Sequence, residues 1–539
     1  MLFCLAMLVC IFVACNSEDT PEIDNPTEEI PQPQPHEHSL GDWKTVKEAT
    51  CTEKGKKTRG CSQCDYTEHE EIPAGHNYVD HVCSACGDIQ YSEGLKFRSN
   101  GTGTGTYSVS GIGTCTDRVV YVPPTTPEGY PVTGVYGFAF QRCTDLTKIV
   151  LPDSITSIGS YAFAYCTNLR SIAIPENVTS IDAYTFYDCN HLTSITIPKK
   201  ITSIGTNAFA NCYRLVEVIN HSDLSISKAA SSNGQIGYSA FEIHMGESKI
   251  DNQNGYLFYT YGGVNYLIDY LGTETSLILP ENYKGESYEI YKQAFRLFAH
   301  LTSVTIPKAV TSIGQYAFSG CDKLVEVINY SDISMNCGQF ANGYVAFCAK
   351  EVHTGESKIK NDKDYLFYSY GGVNYLLGYT GTATDLILPE NYNGQPYEIY
   401  QYAFAYCTAL TSVTVPGGIE SIGEAAFKYC SNLKSVTIPD GVTSIAANMF
   451  YGCGKLTSIT IPDGITSIGN QAFCDCSSLT TITIPKDVTN IYANAFLSCN
   501  KLTDIYFTGT EEEWNAISKS NASISSSARI HYNYVPSES

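Results

Sequence analysis

The chain has 539 residues, 43% of them hydrophobic and only 16% charged, with 40 tyrosines, 22 cysteines and a formal charge of −22. That balance excludes nucleic acid as a partner, because a binder needs clustered Lys and Arg to displace counterions. It equally disfavours simple adsorption to anionic lipid.

Residues 1–14 hold no charged side chain, and two thiols are their only polar groups. The run is short for a membrane span, which needs about 20 residues, and suits the core of a signal peptide. It ends in Phe12-Val13-Ala14-Cys15, which resembles a bacterial lipobox with Phe at the usual Leu position and no basic residue ahead of it. The resemblance implies cleavage before Cys15, a lipid on that cysteine and display at the cell surface or outer membrane. An ordinary secretory signal with an incidental Cys15 is the alternative. Residues 16–35 are acidic and proline-rich, nearly free of large apolar groups, and read as an extended tether over 15–35.

Between 36 and 90 the composition changes. Cys61-x2-Cys64 and Cys83-x2-Cys86 are separated by 18 residues, a zinc-ribbon spacing in which two knuckles aim four thiolates at one tetrahedral ion. His36, His38, Cys51, His69, His76 and His81 offer further ligands. The segment is similar to short zinc-ribbon-like modules near the start of some bacterial surface proteins, which implies structural zinc. Disulfides are the competing chemistry for an exported protein.

From residue 140 onward a Phe-x-x-Cys-x-x-Leu-x-x-Ile-x-Ile-Pro string recurs with a period of 23, as at Phe404, Phe427, Phe450, Phe473 and Phe496. A fixed period of this size marks a solenoid whose coils stack on one another. In the coil starting at Phe427 the apolar set is Phe427, Leu433, Val436, Ile438, Val442 and Ile445. Val436 and Ile438 alternate with Ser435 and Thr437, which is strand patterning, and Pro439 ends the strand. The Ala-Phe-x-x-Cys segment is expected to form one helical or 3₁₀ turn. The pattern, as in LTSITIPDGITSIGNQAFCDCSSL at 456–479, resembles the BspA-type leucine-rich repeat. The resemblance implies a secreted or surface-attached bacterial protein that binds host components, matrix or other cells.

The cysteine of each coil is replaced once by Phe298, so the slot calls for a buried apolar group and the thiol is read as a small hydrophobe. Columns of Thr and Ser flank each strand and suit strand packing. Two stretches, 216–294 and 325–403, interrupt the short repeat and duplicate each other at an offset of 109. Their Gly262-Gly263 and Gly371-Gly372 pairs sit between tyrosine-rich runs and predict β-hairpins. A diverged third copy occupies 94–139. These are read as variant coils inside one repeat region, 91–507, closed by a cap at 508–539 built on Glu511–Ile517.

Tyrosines give rigid amphipathic contact area, so Tyr259, Tyr261, Tyr266 and their copies Tyr368, Tyr370 and Tyr375 are the candidate ligand-binding residues. Strand alternation turns about half of them inward. No Ser/His/Asp grouping, GxSxG, HExxH or phosphate loop is present, which argues against an enzyme. His244 and His353 recur in H-x-G-E-S-K, as duplication alone requires. The expected function is adhesion to a host or neighbouring-cell protein, matrix or glycan, with membrane contact through the lipid only. A passive spacer is the alternative, and an extracellular enzyme a more distant one.

Overall fold

The computed structural model describes residues 39–535 apart from 52, 77, 80, 230–231, 520–523 and 525–527. The signal peptide, Cys15, the tether, His36 and His38 lie outside the described residues. The chain divides into two compact units, one running to Gln90 and the other from Tyr91.

The first unit is a three-stranded antiparallel sheet of Lys44–Lys47, Gly55–Gly60 and Thr67–Ile72, followed by the short pair Tyr78–Val79 and Val82–Cys83. Among its described residues only Gly55 and Cys83 are buried, so it has almost no apolar interior.

The second unit is a solenoid. Each regular coil contributes two short strands that pair in parallel with the same positions one period on. Ile445 registers with Ile468 and Ile468 with Ile491, while Ile459 registers with Ile482 and Ile482 with Ile505. The register follows from the sequence: any slip by one residue would swap the buried Ile for its exposed Ser or Thr neighbour. Threonine hydroxyls reinforce the stack. Thr466 Oγ1 donates to the carbonyl of Thr443 at 3.2 Å, Thr489 to Thr466 at 3.2 Å and Thr480 to Thr457 at 3.0 Å. The hydroxyl columns are thereby committed to holding coil to coil.

The repeat phenylalanines stack inside the solenoid. Successive ring centroids lie 5.4 Å apart for Phe140–Phe163 and Phe163–Phe186, and 5.3 to 5.7 Å apart from Phe404 through Phe496. The segment carrying each Phe is not the helical or 3₁₀ turn that its sequence suggests. It is built of turns in which the residues two before and two after the Phe are left-handed, as at Tyr161 and Tyr165 around Phe163. That conformation lets alternate backbone N–H groups reach the next coil: Phe163 donates to Thr185 at 2.9 Å and Tyr165 to Tyr187 at 2.7 Å. Hydrogen bonding between coils has displaced hydrogen bonding within a helix. The 3₁₀ helices described are only Asn233–Gln235 and Asn342–Tyr344.

Eight of the ten repeat cysteines are buried, as expected, Cys143 and Cys407 being partly exposed, and the buried thiols also donate. Cys166 Sγ bonds the carbonyl of Phe140 at 3.0 Å, Cys430 that of Phe404 at 3.0 Å and Cys499 that of Phe473 at 3.0 Å. Each of these carbonyls also accepts the backbone N–H three residues on, as Phe140 does from Cys143 at 3.1 Å, so the thiol adds a second bond from the next coil.

Both glycine pairs form two-residue hairpin turns. Gly262 and Gly263 have φ of 60° and 81°, and Tyr261 pairs with Val264; Gly371 and Gly372 repeat this at 60° and 84°. Positive φ at both central residues is the turn that matches strand twist. The returning strand Val264–Tyr270 then pairs in parallel with Tyr288–Ile290, so the hairpin takes the place of a coil. Below the hairpins the apolar interior is divided into three large clusters, spanning Leu95–Ala240, Phe258–Ala349 and Phe367–Ile517, with a small cluster at each hairpin around Tyr259 and Tyr368.

Charged side chains lie buried at the first division. Asp269 accepts from Arg214 Nη1 at 2.9 Å, and Arg170 and His191 lie 3.4 and 3.3 Å from its other oxygen. Arg214 also donates to the carbonyls of Gln293 and Arg296 at 2.6 and 3.0 Å. The duplicated position differs: Lys323 replaces Arg214, Gly378 replaces Asp269, and Lys323 Nζ donates to the carbonyl of Ala403 at 2.7 Å. A Cβ at Gly378 would lie 2.8 Å from that same carbonyl oxygen, so the exchange of acid for glycine goes with the shorter cation.

At the C-terminal end Thr510 and Glu513 form a capping box on helix Glu511–Ala516. Trp514 is buried against Phe507, with ring centroids 5.2 Å apart. Strand Arg529–His531 then covers the edge of Asp504–Phe507.

Candidate functional site

The tyrosine hairpins were expected to turn every second ring outward, and they do not. A register shift between Leu257 and Phe258 breaks the alternation, and Leu257, Phe258 and Tyr259 are all buried. Tyr259 and Tyr368 are thus withdrawn from any ligand, and their hydroxyls bond Glu242 at 3.0 Å and Glu351 at 3.1 Å. Tyr266 and Tyr375 are half-buried. Tyr261 and Tyr370, at the strand ends beside the glycine turns, remain 41% and 44% exposed.

Tyr261 borders an open groove of ≈ 570 Å³ lined by Lys228, Phe241, Glu242, Ile243, Thr260 and Gly262. Phe241 forms its floor, with ring centroids 5.1 Å from Tyr261, 4.8 Å from Tyr266 and 4.9 Å from Tyr291. Lys228 Nζ sits 5.3 Å over the Tyr261 ring. Glu242 is held by Lys249 at 2.6 Å, and Lys228 Nζ donates to the carbonyl of Phe241 at 2.6 Å, which fixes the ammonium over the groove. In the second copy the floor is Lys350, whose Nζ lies 4.7 Å from the Tyr375 ring and 5.4 Å from that of Tyr400. The framework is thus duplicated while the chemistry at its floor has changed from aromatic to cationic.

The repeated H-x-G-E-S-K string brings a serine, a histidine and a carboxylate together. Buried Glu217 accepts from Ser248 Oγ at 2.5 Å, from the Lys249 amide at 2.7 Å and from His244 Nε2 at 3.1 Å. Glu326 does the same with Ser357, the Lys358 amide and His353 at 2.6, 2.8 and 3.0 Å. The acid stands between serine and histidine. A nucleophilic serine needs the histidine as its base, with the acid behind it. Here the serine gives its proton to a carboxylate that already holds the histidine, and the arrangement pins an irregular loop instead. Burial disfavours charge on His353, but bonds to the Thr354 carbonyl and Glu326 outweigh it and raise its pKa.

In the first unit the cysteines are not grouped as their spacing suggests. Cys83 and Cys86 come together with Cys51 and His76, all four ligand atoms lying within 4.8 Å of one another. Cys61 and Cys64 stand in the turn at the far end of the Gly55–Gly60 and Thr67–Ile72 hairpin. A strand of 6 residues separates the two places, roughly 20 Å at about 3.3 Å per residue.

With this geometry in hand, the comparisons are specific. A model of the BspA type leucine rich repeat region matches six copies over residues 133–256, 285–374 and 397–523, well over half of the chain. The chain belongs to the BspA-type leucine-rich repeat family. A leucine rich cell surface protein from Faecalibacterium prausnitzii is 25% identical, over 80% of this chain and 97% of its own, with a TM-score of 0.32. A T. pallidum leucine-rich repeat protein is 28% identical over 27% of this chain and 69% of its own, with a TM-score of 0.26. A leucine-rich repeat protein from Bacteroides ovatus is 22% identical over 82% and 98%, with a TM-score of 0.23. A comparison with curated proteins finds no match. Among the described residues no helix is long and apolar enough to cross a membrane.

This BspA-type solenoid carries a second aromatic surface that repeat reading passed over. Phe138, Tyr161 and Tyr184, each two residues before a repeat Phe, stack at 5.0 and 4.7 Å with planes 6° apart. Around the second copy Phe340, Tyr344 and Phe347 cluster with Tyr316, with Phe340 63% exposed. The signal was present at the positions flanking the Phe, which read as linker while the Phe itself carried the periodicity.

Proposed function

We propose that this protein is an exported, surface-displayed binding protein, anchored by lipid at Cys15, whose solenoid recognises a protein or glycan partner at the first hairpin groove. The observation that carries the reading is the pairing of exposed Tyr261 with Lys228 above an aromatic floor in an open groove. Exposed aromatics beside a cation are the residue types that dominate contact energy in binding surfaces. Family membership supports the reading, since BspA-type repeats are typical of surface-exposed bacterial proteins. The serine and histidine of the duplicated loop are spent on a buried carboxylate, which favours binding over catalysis.

The test is an array of matrix proteins and glycans probed with the purified chain. A saturable ligand is expected, with affinity at least tenfold weaker in Tyr261→Ser and Lys228→Ser, both exposed and so tolerated by the fold. No saturable ligand would end the adhesion reading; a ligand indifferent to both substitutions would move the site elsewhere. Mass spectrometry of the mature N-terminus should find a lipid-modified Cys15, and an unmodified terminus would remove the anchor.

A further inference from the structure

The first unit lacks what a domain of its size needs. Its sheet is polar on both faces, and among its described residues only Gly55 and Cys83 are buried. Units this small need disulfides, metal or another staple when the core is missing. Three thiols and one imidazole converge at one end of that sheet. Cys51 follows the first strand, His76 follows the third, and Cys83 and Cys86 flank the last turn.

We propose that Cys51, His76, Cys83 and Cys86 form a closed structural zinc site, with His76 bound through Nδ1. Cys51 Sγ lies 3.4 Å from Cys83 Sγ, and Cys86 Sγ lies 3.2 Å from His76 Nδ1. Tetrahedral zinc with bonds of about 2.3 Å to sulfur and about 2.0 Å to nitrogen holds its ligand atoms roughly 3.6 to 3.8 Å apart. The two closest pairs would open by a few tenths of an ångström and the wider ones, all within 4.8 Å, would draw in about one ion. The turn between Cys83 and Cys86 is shaped for the role: the Gly87 amide donates to the Cys83 carbonyl at 2.9 Å with φ of 75° at Gly87, and the Cys83 amide donates to Asp88 at 2.8 Å.

The surroundings orient the imidazole. Asp88 lies 3.8 Å from His76 Nε2, the nitrogen opposite the ligand position, and its carboxylate is steadied by the Tyr78 hydroxyl at 2.7 Å. The Tyr78 ring stacks on His76 at 5.3 Å. At 3.8 Å Asp88 is too far to hydrogen-bond Nε2, so it supplies a nearby negative charge, which favours a cation at the site. Three thiolates and one imidazole with no open position match structural zinc, and the site ties the first and third strands to the final turn. Cys61 and Cys64, the other C-x-x-C of the ribbon spacing, stand outside it.

The test uses the full chain loaded with zinc alone and alkylated before and after chelation, with each cysteine mapped by mass spectrometry. Cys51, Cys83 and Cys86 should be protected by metal and label at least tenfold faster once it is removed. X-ray absorption at the zinc edge needs no variant and should include a sulfur-and-nitrogen shell; in His76→Cys the nitrogen should be replaced by sulfur with metal retained. A Cys51–Cys83 disulfide in the native protein overturns the proposal. So does protection of Cys61 and Cys64 with Cys51 labelling equally in both states, or a chain that retains no zinc.

Discussion

At the scale of single residues, the repeat thiol and the buried imidazole each make a measurable claim. Burial raises the thiols: Cys212 and Cys499 are pushed up to about 12, and Cys189, Cys453 and Cys476 rise well above the ordinary range. Only thiolate reacts, so these cysteines should resist alkylation at pH 8.5 in the native protein and label on unfolding, whereas Cys337, its thiol also raised by burial but open to reagent, should label faster than they do. Quantitative labelling by mass spectrometry checks this, and rapid native labelling of Cys453 would contradict the packing. Histidine works in the opposite direction. Burial, helped by Arg214 beside His191 and Lys323 beside His300, pushes both imidazoles down to about 4. The unfolded chain binds those protons near 6.5, so between 6.5 and 4 the folded state holds fewer protons than the unfolded one. Their stabilising contribution is complete above about pH 6.5 and is lost as pH falls toward 4. Raised His353 acts with the opposite sign but is more exposed. Acidification to pH 4.5 should cost on the order of 2 kcal/mol per buried imidazole, and His300→Gln should flatten that slope in a melting series. His300 is the better target, since its Nε2 has no hydrogen-bond partner to lose.

At the scale of elements, the regular coils were legible because everything that shapes them is local and repeats. Phe427, Cys430, Leu433 and Val442 are read directly as buried positions, and the glycine pairs announce their turns. What escaped depends on partners far apart in sequence. A bulge at Leu257 and Phe258 turns Tyr259 inward, and no pattern in Tyr256–Tyr261 marks a bulge. The cysteine group takes Cys51 and His76 from separate loops, while the more visible Cys61-x2-Cys64 lies at the other end of a strand. The left-handed residues around each Phe were hidden for another reason: their amides bond the next coil, a contact that local propensity cannot register. The cap belongs to the legible group and yields a prediction. Trp514 packs on Phe507, so Trp514→Ala should cost about 3 to 5 kcal/mol of local stability and loosen the last coil beneath the cap. Hydrogen exchange at Asp504–Phe507 should rise sharply in that variant while Ser171–Ile172 and Ser194–Ile197, far along the chain, keep their protection.

At the scale of the whole solenoid, stability is a sum of coil and interface terms, so the weakest interface decides how the second unit comes apart. Its apolar interior is divided into three large clusters, and the division between the first and second holds Asp269, Arg214, Arg170 and His191 beside a small apolar cluster of Val216, Leu257, Tyr259, Ile268 and Tyr291. A buried ion pair adds little over an apolar pair of the same shape, but removing one partner leaves an uncompensated charge and costs about 3 to 5 kcal/mol. Asp269 is held ionised despite burial, its pKa lowered to about 2 by His191 and Arg214. Asp269→Ala therefore strands Arg214, which is fully buried, between two blocks that otherwise fold on their own coils. The expected result is a second calorimetric transition, with Leu95–Ala240 melting separately from the remainder. Arg214→Met combined with Asp269→Leu removes both charges together and should restore a transition close to that of the native protein. If Asp269→Ala lowers the melting point without separating the transitions, the ion pair is only one more coil contact and the division into blocks has no energetic meaning. If the double variant stays split, shape at the hairpin rather than charge sets the boundary. The second division offers the internal control, because Lys323 bonds a carbonyl there in place of an acid. Lys323→Met leaves no charge behind, so it should shift the melting point by less than Asp269→Ala does and should not resolve a new transition.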